Sequence, residues 1–121
     1  MRVAMLIPSA EEARRLQEWI AGYSQRRGAP VELYAADSPE AFRRQFRPNF
    51  FRGVLIGAGD AAGFLEARRV RELDRECRLV VIDDTDRYAI QCHRLHAVDF
   101  LIRPLDARQV FRGMDRILYG P

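Results

Sequence analysis

Short apolar runs alternate with longer amphipathic stretches along the whole chain, and this alternation restricts the fold more than any other feature. The apolar runs lie at residues 2–7, 31–35, 53–57, 79–82 and 100–102. Their length and their continuous apolar character are typical of strands that are covered on both faces. Repeated strand–helix units with short connections predict a parallel sheet between two helical layers. We therefore expect one doubly wound (βα)5 domain of the α/β class over residues 1–121.

Helix-start signals support this order of elements. Ser9 precedes the first helix, and Glu12 three residues later completes a capping-box pattern; Gly28 ends that helix. Ser38 followed by a proline is typical of the start of a second, short helix that ends near residue 45. Asp106 is the predicted cap of the last helix, whose inner stripe is Val110, Met114, Ile117 and Leu118.

The third and fourth helices are predicted from charge and apolar spacing alone. The third is expected over residues 64–75 with Leu65, Val70 and Leu73 facing inward, after a loop of small residues at 58–63. The fourth is expected over residues 87–96.

Composition excludes several classes of protein. With 48% hydrophobic residues in 121, the chain is able to build a core without disulfides, and two cysteines are too few for a disulfide framework. No run approaches the ~20 apolar residues of a membrane span. The net charge is +3, but all 20 basic residues are arginines that mostly alternate with acidic residues. We expect a cytoplasmic protein with no membrane contact and no direct binding of nucleic acid by this domain.

Functional groups of a parallel α/β sheet gather beyond the carboxyl ends of its strands. The segments that follow the first, third, fourth and fifth predicted strands are, in that order, Ile7-Pro8-Ser9, Gly57-Ala58-Gly59-Asp60, Asp83-Asp84-Thr85-Asp86 and Arg103-Pro104-Leu105-Asp106. The residues at this edge therefore decide what chemistry is available.

A family resemblance rests on the C-terminal half of the chain. Residues 63–73 resemble the third helix of response-regulator receiver domains. Asp86-Arg87-Tyr88-Ala89 and the run Ala97-Val98-Asp99-Phe100-Leu101-Ile102-Arg103-Pro104 resemble the LytR/AlgR-type (LytTR) group, in which the run is of the form Ala-Leu-Asp-Tyr-Leu-Leu-Lys-Pro. The resemblance covers essentially the whole chain and implies the flavodoxin-like, three-layer receiver sandwich.

The resemblance also implies which residues would carry phosphoryl chemistry, and most are replaced. Receivers bind Mg²⁺ through an acidic pair, whose matching positions are Ile7 and Pro8, and accept phosphate on an aspartate, which matches Gly57. The hydroxyl residue after strand four matches Asp83, and the lysine of strand five matches Arg103. An Ile-Pro pair supplies no oxygen ligand and glycine supplies no nucleophile. We therefore expect a degenerate receiver, or pseudo-receiver, with no bound Mg²⁺, no other cofactor and no catalytic residue.

Four positions that match the family's switch residues suggest a substitute for the phosphate switch. Asp83 and Arg103 lie on adjacent strand ends, so we hypothesise a salt bridge that holds one state without phosphate; the alternative is two independent exposed charges. Phe100 matches the aromatic residue that moves in receivers, although an ordinary strand-face aromatic explains it equally well. Pro104 resembles the cis-proline of the family.

Three other patterns favour simple structural explanations. Cys92 and His96 are predicted to form an i, i+4 pair on one helix together with His93, but packing accounts for them better than a metal does. Asp60 and the aspartates at 83, 84 and 86 are typical of caps and turns rather than of a cation site. Gly57-Ala58-Gly59 lacks the remainder of a phosphate-binding loop.

The resemblance implies a function through protein contact. We expect homodimerisation through helix four, strand five and helix five, with Tyr88, Arg94, Val110 and Phe111 on the contact face, in a two-component transcriptional regulator. A DNA-binding output domain would then follow Pro121. Two alternatives stay open: an adaptor that binds another regulator or kinase, and a flavodoxin-like protein that binds a small ligand.

Overall fold

The computed structural model describes residues 1–121. Its five strands form one parallel sheet in the order β2-β1-β3-β4-β5. The strands are β1 (Arg2–Leu6), β2 (Glu32–Ala36), β3 (Gly53–Ile56), β4 (Arg78–Asp83) and β5 (Asp99–Ile102). The helices are α1 (Ala10–Arg27), α2 (Pro39–Gln45), α3 (Asp60–Leu73), α4 (Ala89–Arg94) and α5 (Ala107–Tyr119). The predicted (βα)5 architecture is confirmed, and no helix is long and apolar enough to cross a membrane.

The helices divide between the two faces of the sheet, and each layer closes its own core. On one face, α1 and α5 pack on alternate residues of the strands; this core includes Leu16, Tyr23, Met114 and Ile117. On the other face, α2, α3 and α4 close a second core with Phe42, Ala67, Val70 and Cys92. Strands buried on both sides therefore need the continuous apolar runs seen in the sequence.

Several predicted helix ends are correct because their caps are local. Ser9 accepts a hydrogen bond from the Glu12 N–H at 3.2 Å, and Gly28 ends α1 in the left-handed conformation, with φ 61°. Ser38 accepts from the Ala41 N–H at 3.1 Å. Asp106 and Gln109 form a complete capping box at the start of α5.

The prediction for α3 was wrong about its start and its inner face. The helix begins at Asp60, four residues earlier than expected. Gly63, Glu66, Ala67 and Val70 face the sheet, whereas Leu65 and Leu73 are 49% and 47% exposed. Small residues at helical spacing let the helix approach the sheet closely, and the two leucines lie off that stripe.

The prediction for α4 was also wrong, because the helix ends at Arg94 rather than at residue 96. His96 lies outside the helix in the left-handed region, with φ 60°. Cys92 and His96 are therefore not a pair on one helical face, and the Cys92 thiol is buried in the core.

Candidate functional site

The Arg103 guanidinium is the centre of the edge formed by the carboxyl ends of the strands. Arg103 leaves β5, and its Nε and Nη2 donate to the carboxylate of Glu12 in α1, at 2.8–3.1 Å. Nη2 also donates to the Gly57 carbonyl at 2.7 Å, and Nη1 contacts Asp84 Oδ1 at 3.3 Å. One cation thereby ties together α1, the end of β3 and the end of β4.

Burial makes the pair of Arg103 and Glu12 more than a surface contact. Their side chains are only 21% and 12% exposed, whereas Asp84 is 77% exposed. Burial acts to lower the pKa of Arg103, but the hydrogen bonds and charge of Glu12, with the charge of Asp84, outweigh it and leave that pKa raised. The bidentate contact with Glu12 fixes the guanidinium plane, which a lysine ammonium would not do.

The predicted salt bridge between Asp83 and Arg103 is wrong. Asp83 is 5% exposed, and its Oδ1 accepts from the backbone N–H groups of Asp60 at 3.0 Å and Asp84 at 2.7 Å. The alternative of two exposed charges is wrong as well, since Asp83 is buried and Arg103 is half-buried. Helix α3 has no side-chain cap of its own, because Gly59 precedes it, so the Asp83 carboxylate of β4 caps it instead.

The space beside Gly57 is filled by the residues that surround it. A Cβ atom at this position would lie 2.5 Å from Ile7 Cδ1 and 3.0 Å from Arg103 Nη2. Any side chain here would displace both of these neighbours. Ile7 is fully buried, so the apolar residue at the end of β1 and the glycine at the end of β3 pack as a matched set.

The residues at this edge do not fit a Mg²⁺ ion. Ile7 is a buried hydrocarbon and Pro8 offers no side-chain oxygen, while the carboxylates of Glu12 and Asp84 are both bound to Arg103. No three His, Cys, Asp or Glu side chains form an arrangement that would hold a metal. Asp60, one of the aspartates considered as a cation ligand, contacts Arg87 at 3.7 Å instead.

Two further positions of the resemblance are placed by the structure. Phe100 is half-buried in β5 and packs against the core beneath α2, α3 and α4. The Arg103–Pro104 peptide bond is cis. The structure describes one position of Phe100, so its role as a moving residue stays a prediction.

The residues proposed for a dimer face do not share one surface. Tyr88 stacks on Phe64 with a centroid distance of 5.7 Å, and Arg94 is exposed at the end of α4. Val110 is 2% exposed in the core, so its place on a contact face was wrong. Phe111 packs edge-to-face on Tyr23 at 5.5 Å and therefore faces α1 rather than α4.

Sequence reasoning missed the role of Glu12. Its position three residues after Ser9 was explained by the capping box, of which only the Ser9 half forms. The signal available in the sequence was a carboxylate in the first turn of α1, next to a strand end that has no acidic pair. Its partner is 91 residues away, and only the fold brings the two together.

No family model and no curated protein matches this chain. Solved structures, in contrast, match it over nearly its whole length. A response regulator receiver protein from Pseudoalteromonas atlantica superposes with a TM-score of 0.82 at 16% identity, over 99% of this chain and 98% of that one. The non-phosphorylated HemR receiver domain from Leptospira biflexa gives a TM-score of 0.82 at 14% identity, with 97% and 93% covered.

A longer structure also matches. Response regulator DrrB from Thermotoga maritima, an OmpR/PhoB homologue, gives a TM-score of 0.71 at 15% identity, over 98% of this chain and 52% of that chain. At these identities, the likeness shows that the chain has the receiver fold.

Proposed function

We propose that this chain is a receiver-type signalling domain of a response regulator that acts without phosphorylation and without Mg²⁺. In this role it is a protein-contact module rather than an enzyme, located in the cytoplasm and acting in transcriptional regulation. The receiver fold of its structural neighbours supports the class of protein, and the edge around Arg103 supports the loss of phosphoryl chemistry.

The observation that carries the proposal is the occupied anion position. Phosphorylation would place a dianion beside the cation of β5, and here Glu12 already neutralises that cation through a bidentate contact. The side-chain space at Gly57 is filled by Ile7 and Arg103. A phosphoryl group would therefore have neither an acceptor nor a free counter-charge, and the ion pair provides a permanent substitute.

The proposed contact face comprises α4, β5 and α5. Two large apolar side chains on it lack a covering: Ile90 of α4 is 68% exposed and Ile102 of β5 is 40% exposed. Arg112 and Arg116 of α5 both bind the buried Asp99, which holds α5 against the edge strand. An apolar centre with ordered arginines beside it is typical of a modest homodimer interface.

The same proposal includes an output domain on the C-terminal side. DrrB, which has the same fold over this region, is about twice as long as the segment that matches. A DNA-binding domain that follows α5 would be brought to its site as a pair by dimerisation of the receivers.

The test of phosphorylation independence is light scattering of the purified protein with acetyl phosphate and Mg²⁺, compared with Mg²⁺ alone. We expect the same mass in both and no mass increase of the chain by mass spectrometry. A donor-dependent change in oligomeric state, or a phosphorylated peptide, would contradict the proposal.

The test of the contact face uses Ile90→Glu, with Leu73→Glu as its matched control. Leu73 is 47% exposed but lies on α3, away from the proposed face. We expect Ile90→Glu to weaken self-association at least tenfold, since a buried charge replaces an apolar contact, and Leu73→Glu to leave it unchanged. Equal effects of the two variants would argue against this face.

A further inference from the structure

A large groove lies between α1 and α5, on the side of the sheet away from α4 and away from the Arg103 site. One edge of it includes Arg112 and Arg116, which also lie beside the dimer face proposed above. The groove has a volume of about 700 Å³. Its middle is lined by Trp19 and Gly22 of α1 and by Phe111 of α5. Trp19 and Phe111 are both only partly buried, so the groove has an aromatic lining that solvent reaches.

Gly22 creates the depth of this groove. A Cβ atom on Gly22 would be 4.0 Å from the Phe111 ring, an ordinary contact distance, so a side chain there would extend into the groove. Glycine in the middle of a helix costs about 1 kcal/mol relative to alanine. Neither a positive φ nor a close contact requires glycine at this position.

The rim of the groove carries positive charge that the fold itself does not neutralise. The carboxylate of Asp115 is bound by Arg27 through two hydrogen bonds of 2.9–3.0 Å and by the Tyr23 hydroxyl at 2.8 Å. Contact with Arg27, stronger than the opposing effect of burial, lowers the pKa of Asp115. This carboxylate is therefore committed to the fold and does not balance the rim.

Two arginines on the rim have no ionic partner. Arg26 of α1 lies over the Phe111 ring at 5.6 Å, and Arg108 stands in the first turn of α5; both are exposed. Neither guanidinium takes part in any of the salt bridges of the structure, whereas Glu18 on the same rim is paired with Arg14 at 3.0 Å. The free charge of the groove is thus positive, above an apolar floor.

We propose that the α1–α5 groove is a docking site for an acidic amphipathic helix of a partner protein. Two adjacent helices on one face of a sheet form a trough that takes a third helix. Its apolar side chains would pack on Trp19 and Phe111, and its carboxylates would pair with Arg26 and Arg108. A second copy of this basic chain fits less well, because it would bring like charges together. The apolar floor likewise has no counterpart in a DNA backbone.

Trp19 is the only tryptophan in the chain, so its fluorescence reports directly on the groove. The probe is a tryptophan-free peptide of about 16 residues, with leucines at helical spacing and glutamates on the opposite face. We expect saturable change of the Trp19 emission that weakens as salt is raised. A peptide with lysine in place of each glutamate should bind at least tenfold more weakly.

Two variants of different kinds test the same groove in the full chain. Gly22→Leu fills the floor without altering charge, and Arg26→Glu with Arg108→Glu reverses the rim without altering the floor. Both should weaken peptide binding at least tenfold while circular dichroism shows an unchanged fold. The matched control is Arg15→Glu with Arg44→Glu, two exposed arginines outside both the groove and the proposed dimer face, and it should bind within twofold of the wild type.

Three results would overturn the proposal. Equal binding by the control and the groove variants would place the peptide elsewhere. Equal binding of the lysine peptide, or a larger Trp19 response to duplex DNA, would show that acidic recognition is wrong. A Trp19 emission that changes with protein concentration, together with a dimer in light scattering that Gly22→Leu abolishes, would assign the groove to a second copy. None of these results depends on the phosphorylation test above.

Discussion

At the scale of single residues, the ion pair of Glu12 and Arg103 is the main contact that holds together the edge formed by the carboxyl ends of the strands. Replacing either partner leaves the other charge half-buried without its counter-ion, so Glu12→Gln and Arg103→Met should each lower the free energy of unfolding by about 2 kcal/mol. The double variant should cost clearly less than the sum, with a coupling of about 1 kcal/mol. Chemical denaturation of the four proteins measures this cycle.

Asp84→Asn provides the control, because Asp84 contacts the same guanidinium but is 77% exposed. Its stability should not differ from that of the wild type. Additive effects of Glu12→Gln and Arg103→Met would show that the two side chains do not depend on each other.

The residues at the strand ends show what sequence reasoning gives at this scale. Ile7 and Gly57 directly follow β1 and β3, as the ends of the apolar runs indicated, because the edge of a parallel sheet collects such positions. The partner of Arg103 was not found. Asp83 is its neighbour on an adjacent strand, but the Asp83 carboxylate accepts instead from the backbone N–H groups of Asp60, at the start of α3, and of Asp84. Which donors reach a given carboxylate is decided by three-dimensional geometry, which a linear pattern does not contain.

At the scale of elements, one buried carboxylate joins the end of α3 to two neighbouring segments. Asp74 is 2% exposed and accepts from the backbone N–H groups of Asn49, Glu76 and Cys77 at 2.8–3.1 Å. Burial acts to raise its pKa, but these three donors and the nearby Arg71 hold that pKa below its ordinary value of 3.8. Asp74→Ala should lower the free energy of unfolding by about 2–3 kcal/mol, since the three donors lose their acceptor.

The depressed pKa also fixes the pH range in which Asp74 acts. The charged carboxylate stabilises the fold above pH 3.8, and this contribution is lost as the pH falls through the lower pKa of the folded state. Denaturation curves of wild type and Asp74→Asn should therefore converge in acid and separate as the pH rises. Asp86→Asn, at an exposed position, is the matched control, and its free energy of unfolding at neutral pH should equal that of the wild type. Parallel curves for Asp74→Asn would contradict this assignment.

The helices were predicted well where a local cap defines them and poorly where it does not. The three helices α1, α2 and α5 are capped by Ser9, Ser38 and Asp106, whose side chains accept hydrogen bonds from the first turns of their own helices. α3 takes its cap from β4, and no pattern in residues 58–63 signals this. Its inner face was misjudged because leucines outweigh glycine and alanine in apolar counting, although small residues allow closer packing on the sheet.

At the scale of the whole molecule, the topology was predictable from the sequence, but the position of the surface groove was not. Five buried strands joined by helices leave few arrangements once right-handed crossovers are required. The groove between α1 and α5 depends instead on Gly22 and on the orientation of Trp19 and Phe111, which are properties of packed side chains. The two cores follow from the alternation of side chains between the two faces of each strand. The relative stability of the two helical layers against local unfolding does not follow from that pattern.

Stability should be uneven across the molecule, and its two thiols report this unevenness. Burial raises the pKa of Cys77 to about 11 and that of Cys92 to about 11, so neither reacts until it is exposed. Cys92 lies on α4, a helix of 6 residues with no side-chain cap, whereas the Cys77 N–H is held by Asp74 at the start of β4.

We therefore expect N-ethylmaleimide to label Cys92 faster than Cys77 in the native protein, through local opening of α4. Labelling of Cys77 should accelerate steeply with urea, as global unfolding requires, and that of Cys92 should respond weakly at low urea. Mass spectrometry of the separated peptides assigns each site without altering either cysteine. Equal rates with the same urea dependence would mean that α4 opens only when the entire domain unfolds. The α4 side of the proposed dimer face would then be as rigid as the sheet beneath it.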